Sequence, residues 1–376
     1  MIPQYFLFLS LCALLATPVG AQPVSFGLFG DTPYSQRERE RLPELMAEMD
    51  REDLAFVVHD GDIKSGGSVC SDEVLRDILN VFQASRHPVV YVPGDNEWTD
   101  CHRSNNGSYD PLERLSKLRE LFFAGDTALG QRPMSLERQS NDPAFAGYRE
   151  NVRWESGGAL FVGLNLPGSE NNYHGTTRGG GPVPEFIERG AANRAWLAQA
   201  FALARTKKLA GIMIVIQANP EFEAFSAGHT RPGYREFLIQ LQAETQAFAG
   251  QVVLVHGDSH QQQINQPLRD PSTQAVIANF TRVETYGSPW MGWAPIATSI
   301  AVISAVIVGT LLRRHDQVLV VDLVKVDVIA AEPLQAGLAG ALHIGRAAVD
   351  AIAATGLARL AELGGEHHAV APALER

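Results

Sequence analysis

Four short motifs place carboxylate, amide or imidazole side chains beside a glycine. They are Gly30-Asp31-Thr32-Pro33, Gly61-Asp62-Ile63-Lys64, Pro93-Gly94-Asp95-Asn96-Glu97 and His256-Gly257-Asp258-Ser259-His260. A glycine lets the backbone turn sharply, so the neighbouring side chain is presented from a loop. Oxygen and imidazole ligands suit hard or borderline divalent metals. The motifs therefore predict a metal site.

Each motif follows a predicted strand. Apolar runs predict strands over residues 24–29, 54–58, 88–92, 159–166, 211–216 and 251–255. Apolar residues at helical spacing predict helices over residues 35–49, 72–82, 112–123, 184–207 and 234–248. Strands separated by helices imply crossover connections and buried sheets. Open α/β sheets bind ligands beyond the carboxyl ends of their strands, which is where the motifs lie.

The order of these motifs resembles the calcineurin-like metallophosphoesterases. That family carries Asp, then Gly-Asp, then Gly-Asn-His-Glu/Asp, then His, then Gly-His-x-His, and the likeness covers residues 26–260. The resemblance implies an α/β fold, a four-layer α/β/β/α sandwich of two mixed sheets. It also implies two divalent metal ions, with Mn, Mg, Fe and Zn all open. The expected activity is hydrolysis of a phosphate mono- or diester by metal-activated water.

The resemblance assigns six metal ligands, which are Asp31, Asp62, Asp95, Gln217, Asp258 and His260. Asp62 would bridge both metals, and Asp31 and His260 would complete one of the two sites. Four positions depart from the family because they replace histidine, namely Pro33, Asn96, Gln217 and Asp258. The second site is therefore rich in oxygen ligands and should prefer Mg, Mn or Ca over Zn.

Two residues are assigned to catalysis and one to substrate binding. Asn96 stands where the family has a histidine that assists the leaving group, and an amide can hydrogen-bond a phosphoryl oxygen but is no acid catalyst. His102 lies six residues further on and could substitute for that histidine. Arg103 could bind the phosphate of the substrate. The alternative for His102 and Arg103 is an ordinary place on the surface.

Two further functions stay open beside the enzyme. With four histidines replaced, the domain could be a non-catalytic relative that binds a metal or a phosphate ligand. It could also be a membrane-anchored scaffold. A net charge of −11 disfavours non-specific nucleic-acid binding, so a small-molecule phosphate ester is the expected partner.

The start of the chain predicts export. Residues 5–16 are apolar, and Val19-Gly20-Ala21 offers a cleavage site, so residues 1–21 are interpreted as a signal peptide and the periplasm as the destination. Removal of the signal leaves two cysteines, Cys70 and Cys101, which we expect to form a disulfide in an oxidising compartment.

The end of the chain predicts either a membrane span or a buried element. The phosphoesterase domain is placed at residues 22–285, a candidate transmembrane segment at 286–314, and a tail of unknown role at 315–376. Residues 294–312 form about 19 apolar or small positions, near the minimum for a bilayer span. Trp290 and Trp293 precede them and Arg313-Arg314 ends the run, as in a span leaving the periplasm. The alternative is a buried strand or helix of the main domain.

Overall fold

Two β-sheets form the centre of the computed structural model, which describes residues 24–177, 179–298, 310–314 and 317–321. The first sheet has four strands in the order β11-β1-β2-β3. Their bounds are Val24–Phe29 for β1, Val57–His59 for β2, Val89–Tyr91 for β3 and Ala294–Thr298 for β11. The first three run parallel, and β11 pairs antiparallel with β1.

The second sheet has seven strands in the order β4-β5-β6-β7-β8-β10-β9. The bounds are β4 Glu137–Arg138, β5 Val152–Ser156, β6 Ala159–Gly163, β7 Gly211–Val215, β8 Gln251–His256, β9 Gln263–Asn265 and β10 Phe280–Glu284. Strands β6, β7, β8 and β10 are parallel, whereas β4, β5 and β9 join antiparallel at the two ends. Both sheets are therefore mixed.

Helices cover the outer face of each sheet. On the first sheet they are α1 Gln36–Met49, α2 Asp72–Ala84 and α3 Pro111–Phe122. On the second they are α5 Pro184–Thr206 and α7 Pro232–Gln246, with the short elements α4 Gly168–Asn171 and α6 Phe222–Ser226 between strands and helices. Ser35, Ser71 and Asp110 each cap the start of α1, α2 or α3 by accepting a backbone N–H bond.

Three apolar clusters hold these layers together. Between the sheets, Phe26 of β1 and Phe56, which directly precedes β2, pack against Phe161 of β6, with ring centroids 5.4 and 5.1 Å from that of Phe161. Leu118 of α3 belongs to a second cluster beneath the first sheet, and Leu238 of α7 belongs to a third on the second sheet. The four-layer α/β/β/α sandwich implied by the resemblance is confirmed.

The end of the domain differs from the sequence prediction. Strand β11 lies inside the residues assigned to the membrane span, and its Ala294 and Ile296 are buried between the sheets. The domain boundary at 285 was therefore too early, and the alternative of a buried strand is right for residues 294–298. A strand that is buried in the core and a short part of a transmembrane segment are both apolar, so composition alone does not distinguish them. This similarity explains the error.

The last residues of the candidate transmembrane segment 286–314 also form a strand. Thr310–Arg314 forms β12, which pairs antiparallel with β13 Gln317–Val321. Within the described ranges, no helix has the length and apolar character that crossing a bilayer requires. The proposed signal peptide, residues 299–309 and most of the tail lie outside the described residues.

Candidate metal centre

The parallel strands of both sheets end at the same edge of the molecule. Asp31, Asp62 and Asp95 follow β1, β2 and β3, while Asp258 and His260 follow β8. Four of these residues have left-handed backbone conformations, with φ of 47° at Asp31, 59° at Asp62, 73° at Asp258 and 58° at His260. Residues other than glycine rarely adopt left-handed conformations, and those that do are concentrated at functional sites.

Asp62 is the centre of a hydrogen-bond network. Its Oδ1 accepts the backbone N–H of Asn96 at 3.1 Å. Its Oδ2 accepts from Tyr34 Oη and from Asn96 Nδ2, both at 2.6 Å. Gly94 leaves the space that Asp62 needs, since a Cβ there would lie 2.1 Å from Asp62 Oδ1. Glu97 supports the loop from below, because its Oε1 accepts the Asp62 N–H at 3.1 Å.

Asp31 and His260 form the second part of the site. Both oxygens of Asp31 lie 3.1 Å from the Asp258 backbone nitrogen, which donates to them. His260 Nε2 lies 3.5 Å from Asp31 Oδ1, and His260 Nδ1 lies 2.7 Å from the Ser288 carbonyl oxygen. Burial alone would lower the pKa of His260, but the hydrogen bond and charge of Asp31 raise it above its ordinary value.

Asp95 and Asp258 face each other above Gly168. A Cβ at Gly168 would lie 2.7 Å from Asp258 Oδ1 and 2.9 Å from Asp95 Oδ1, so only glycine leaves room for both carboxylates. Gln217 lies beneath them and is fully buried. Its Oε1 accepts the Gly168 N–H at 2.5 Å, and its Nε2 has no hydrogen-bond partner among the described residues.

Burial and mutual repulsion perturb the carboxyl groups. Desolvation, followed by the charge of Asp95, raises the pKa of Asp258 to about 7. The same two causes raise the pKa of Asp100 to about 7 and that of Asp62 well above its ordinary value. Lys64 is a buried counter-charge, with Nζ 2.6 Å from the Asn96 carbonyl oxygen, although burial lowers its pKa. The site thus concentrates more negative charge than it neutralises.

The loop that carries Asp258 and His260 is held from behind by Glu284, the last residue of β10. Glu284 is fully buried and accepts from the Ser259 hydroxyl, from the Gln261 N–H at 3.2 Å and from Gln263 Nε2 at 2.5 Å. These bonds fix a turn that contains two left-handed residues, and so they set where the two side chains point.

The donor set fits a divalent cation, although its side chains are hydrogen-bonded to one another. Among the described residues, no three carboxylate, imidazole or thiolate groups already surround a common point at coordinating distance. The crowded carboxylates nevertheless require positive charge, because burial and mutual repulsion raise the pKa of both Asp62 and Asp258. Carboxylates with one imidazole are the ligands that Mg²⁺, Mn²⁺ or Fe²⁺ accept.

The structure brings most of the predicted site residues together. Asp62, Asp95, Asn96, Arg103, Asp258 and His260 line one cleft, with Asp31 and Gln217 buried beneath it. Arg103 Nη1 lies 2.7 Å from Asp100 Oδ2 at the rim. His102 is different: it does not line this cleft, and its Nδ1 bonds to the Thr99 carbonyl oxygen at 2.8 Å. That placement does not support the catalytic role expected for His102.

The predicted disulfide is present and adjoins the site. Cys70 and Cys101 are bonded, with Cα atoms 5.8 Å apart, and both are fully buried. Cys101 belongs to the same loop as Asp100 and Arg103, so the bridge ties the rim of the cleft to the start of α2.

Two residues of the site, Tyr34 and Ser169, were missed in the sequence. Tyr34 places its hydroxyl 2.6 Å from Asp62 Oδ2 and 3.4 Å from Asp31 Oδ1. Ser169 donates to Asp95 Oδ2 at 2.6 Å, with its hydroxyl also 2.8 Å from Asp100 Oδ1. Tyr34 follows Asp31 by only three positions in the sequence, and this proximity could have marked it as a residue of the site. None of the four motifs includes Ser169, so they gave no signal for it.

No protein-family model matches this chain, and no curated protein is significantly similar to it. Solved structures are similar at low identity. A dimetal phosphatase from Danio rerio has a TM-score of 0.45 and 14% identity, with 81% of this chain and 100% of that chain covered. A purple acid phosphatase from yellow lupin (Lupinus luteus) seeds has a TM-score of 0.46 and 13% identity, with 80% and 53% covered.

A 5'-nucleotidase from Candida albicans has a TM-score of 0.39 and 10% identity, with 72% of this chain and 47% of that chain covered. The chain thus spans about half the length of the plant and yeast structures. All three are calcineurin-like metallophosphoesterases, the group that the sequence motifs resemble. At these scores the likeness concerns the fold alone.

Proposed function

We propose that this protein is a metal-dependent phosphoesterase that hydrolyses a small phosphate ester. One observation carries the proposal: Asp31, Asp62, Asp95, Asp258 and His260 converge at one edge of the fold, around a polar cleft with a cationic rim. Two divalent cations are the proposed cofactors. A cation held there supplies a Lewis acid and lowers the pKa of a coordinated water.

The chain's own residues divide the remaining work. Asp31 and His260 would hold one cation, Asp95 and Asp258 would hold the other, and Asp62 would contribute to both. Asn96 Nδ2 donates to Asp62 Oδ2 at 2.6 Å and to Tyr34 Oη at 2.9 Å, which uses both of its N–H groups. Asn96 would therefore hold Asp62 in place, and it could donate to a phosphoryl oxygen only by exchanging one of these bonds. Gln217 is better suited to orient Gly168 than to bind metal, because its oxygen already accepts a backbone N–H bond.

Arg103 is the proposed phosphate-binding residue. Its side chain is 46% exposed at the cleft and is held by Asp100, which leaves further N–H groups for an anion. Arg103 would therefore attract and orient an anionic ester without taking part in proton transfer.

The test is metal content together with turnover. Wild-type protein, Asp62→Ala and the exposed control Asp53→Asn are soaked in Mn²⁺, desalted and analysed for bound metal, and each is assayed with p-nitrophenyl phosphate. We expect about two equivalents and measurable hydrolysis in the wild type and the control, and neither in Asp62→Ala. Full activity in Asp62→Ala would refute the proposal.

A non-catalytic metal- or phosphate-binding protein is the second candidate. Asn96 favours it, since an amide cannot act as an acid catalyst, and His102 does not line the cleft. Metal bound at Asp62 without turnover of any aryl phosphate would select this candidate. Turnover that is lost in Asp62→Ala would exclude it.

We also propose export to the periplasm. The buried Cys70–Cys101 disulfide supports this, since such bonds persist in oxidising compartments. N-terminal sequencing of the protein from a periplasmic extract should begin at Gln22. Protein found only in the cytoplasm with Met1 intact would contradict export.

A further inference from the structure

The cleft above the carboxylates has walls that are almost entirely polar. It encloses about 490 Å³, and the described residues that line it include no Phe, Trp, Leu, Ile, Val or Met. Its two aromatic residues are already engaged. Tyr34 packs edge-on against His260 and bonds to Asp62, while Tyr234 is 3% exposed and donates to the Pro167 carbonyl oxygen at 3.2 Å.

This wall chemistry selects against two substrate classes. A nucleobase binds best on a free aromatic or apolar face, and an acyl chain needs an apolar trough. Neither is present in the described part of the cleft. The space beyond the phosphate position is therefore suited to a group that makes hydrogen bonds instead of burying apolar surface.

An ion pair between Arg231 and Glu221 also lines this cleft. Arg231 Nη2 lies 2.8 Å from Glu221 Oε1, and the side chains are 55% and 35% exposed. A guanidinium has five N–H donors and a carboxylate has about four acceptor positions, so the single contact leaves both with free capacity. Glu170 adds a further carboxylate to the same wall.

The carboxylates of Glu221 and Glu170 are carried by residues with strained backbone conformations. Glu221 has φ of 59° and Glu170 has φ of 55°, although neither is glycine. Asn219 ties the Glu221 segment to the metal centre. Its backbone N–H donates to Asp258 Oδ2 at 3.0 Å, its Nδ2 donates to Ser259 Oγ at 2.9 Å, and its Oδ1 accepts the Glu221 N–H at 3.1 Å. Strain kept at a cleft wall points to a role in binding.

We propose that the substrates are phosphate esters of small polyhydroxylated alcohols, such as sugar phosphates, with hydroxyls of the leaving group bound by Glu221 and Arg231. The carboxylate accepts hydroxyl protons and the guanidinium donates to hydroxyl oxygens. The reaction adds one water to the ester and yields the free polyol and inorganic phosphate. This inference rests on the proposed function, because it describes the leaving-group side of the same site.

The experiment compares two esters with the same number of carbon atoms. Glucose 6-phosphate carries hydroxyls and n-hexyl phosphate carries none, and adenosine 5'-monophosphate adds a base. Phosphate release from Mn²⁺-loaded full-length protein gives kcat/KM for each. We expect glucose 6-phosphate to exceed n-hexyl phosphate by about tenfold or more, because a polar site rejects an analogue that leaves its groups unpaired.

Matched variants assign the preference to the wall. Glu221→Gln and Arg231→Gln should each lower the glucose 6-phosphate to n-hexyl phosphate ratio by about fivefold or more. The control pair is Arg194 and Glu236, which forms a surface ion pair elsewhere and does not line the cleft. Arg194→Gln and Glu236→Gln should leave the ratio and the turnover unchanged.

Two results would overturn the inference while leaving the phosphoesterase proposal intact. One is turnover of n-hexyl phosphate or adenosine 5'-monophosphate at least as efficient as that of glucose 6-phosphate. The other is an unchanged ratio in both cleft variants. If even p-nitrophenyl phosphate is not hydrolysed, calorimetric titration of the same protein decides: tighter binding of glucose 6-phosphate than of n-hexyl phosphate supports the inference, and equal or weaker binding overturns it.

Discussion

The metal-free protein should lose stability as the pH rises from about 4 to about 7. Burial, Asp95 and Asp31 raise the pKa of Asp258 from 3.8 to about 7. The folded state therefore keeps a proton that an unfolded chain, with a carboxyl pKa of about 3.9, releases. The stability from this proton is fully present below the unfolded pKa and is lost as the pH rises through the folded one.

The size of the effect follows from the shift at Asp258. Three pKa units at 1.36 kcal/mol each correspond to about 4 kcal/mol as an upper value. Burial raises the pKa of four other carboxyls, which are Asp60, Asp62, Glu97 and Asp100. Asp62, Glu97 and Asp100 share the field of Asp95, so one bound proton relieves several groups and their contributions do not add. We expect a fall of roughly 2–4 kcal/mol in the free energy of unfolding between about pH 4.5 and about pH 7.5.

The assay is urea unfolding of chelator-treated protein, followed by tryptophan fluorescence across this pH range. Carboxyls with a lowered pKa give an opposing rise, and Glu150 is one, since Arg119 lowers its pKa despite its burial. The difference between wild type and Asp258→Asn therefore isolates the effect. Asp258→Asn should remove a measurable part of the fall, whereas the exposed control Asp53→Asn should preserve all of it.

The same unfolding experiment is repeated in the presence of Mn²⁺. A divalent cation binds ionised carboxylates, so with Mn²⁺ present the stability should rise over the same pH window. Equal pH profiles for metal-free wild type and Asp258→Asn, with unchanged m-values, would show that Asp258 does not hold the extra proton. The account of crowded, under-neutralised carboxylates would then be wrong.

Three further changes test the supports of the site. Tyr34→Phe removes a donor to Asp62 and should lower the unfolding free energy of the metal-free protein by about 1–3 kcal/mol; no change in urea unfolding would contradict this. Replacing Cys70 and Cys101 with serine opens a loop spanning 31 residues. The cost should be about 3–4 kcal/mol in the same assay, and a loss under about 1 kcal/mol would argue against it. Glu284→Gln should weaken Mn²⁺ binding about 10- to 100-fold in a chelator competition, and unaltered affinity would count against its positioning role.

The sequence was sufficient to predict the layers and the edge where the site lies. Helix α1 was predicted to begin one residue before its observed start at Gln36, because the spacing of its apolar residues marks a single buried face. Each motif follows a strand as predicted, and parallel strands bring their carboxyl ends to one edge. These features depend on local pattern, which a single sequence contains.

The contacts of the site join residues that are far apart in the sequence, and they also depend on the backbone conformation. Neither property can be read from the local pattern of a single sequence. Tyr34 meets Asp62 across 28 positions, and Ser169 meets Asp95 across 74. The prediction that glycine makes each turn was incomplete, since Asp31 and Asp62 themselves adopt left-handed conformations. Residues other than glycine rarely do so, and their sequence gives no sign of it.

The histidine replacements change the charge of the centre more than its position. Asp258 stands where the resembling family has a histidine, yet its backbone still bonds to Asp31 and its side chain still reaches the cleft. Exchanging a neutral imidazole for a carboxylate adds negative charge that must be balanced. Lys64, buried below Asn96, balances part of it, and Arg103 lies only at the rim. Hard cations with oxygen preference would match the remaining charge best, so for the proposed metal centre we expect Mn²⁺ or Mg²⁺ to bind more tightly than Zn²⁺.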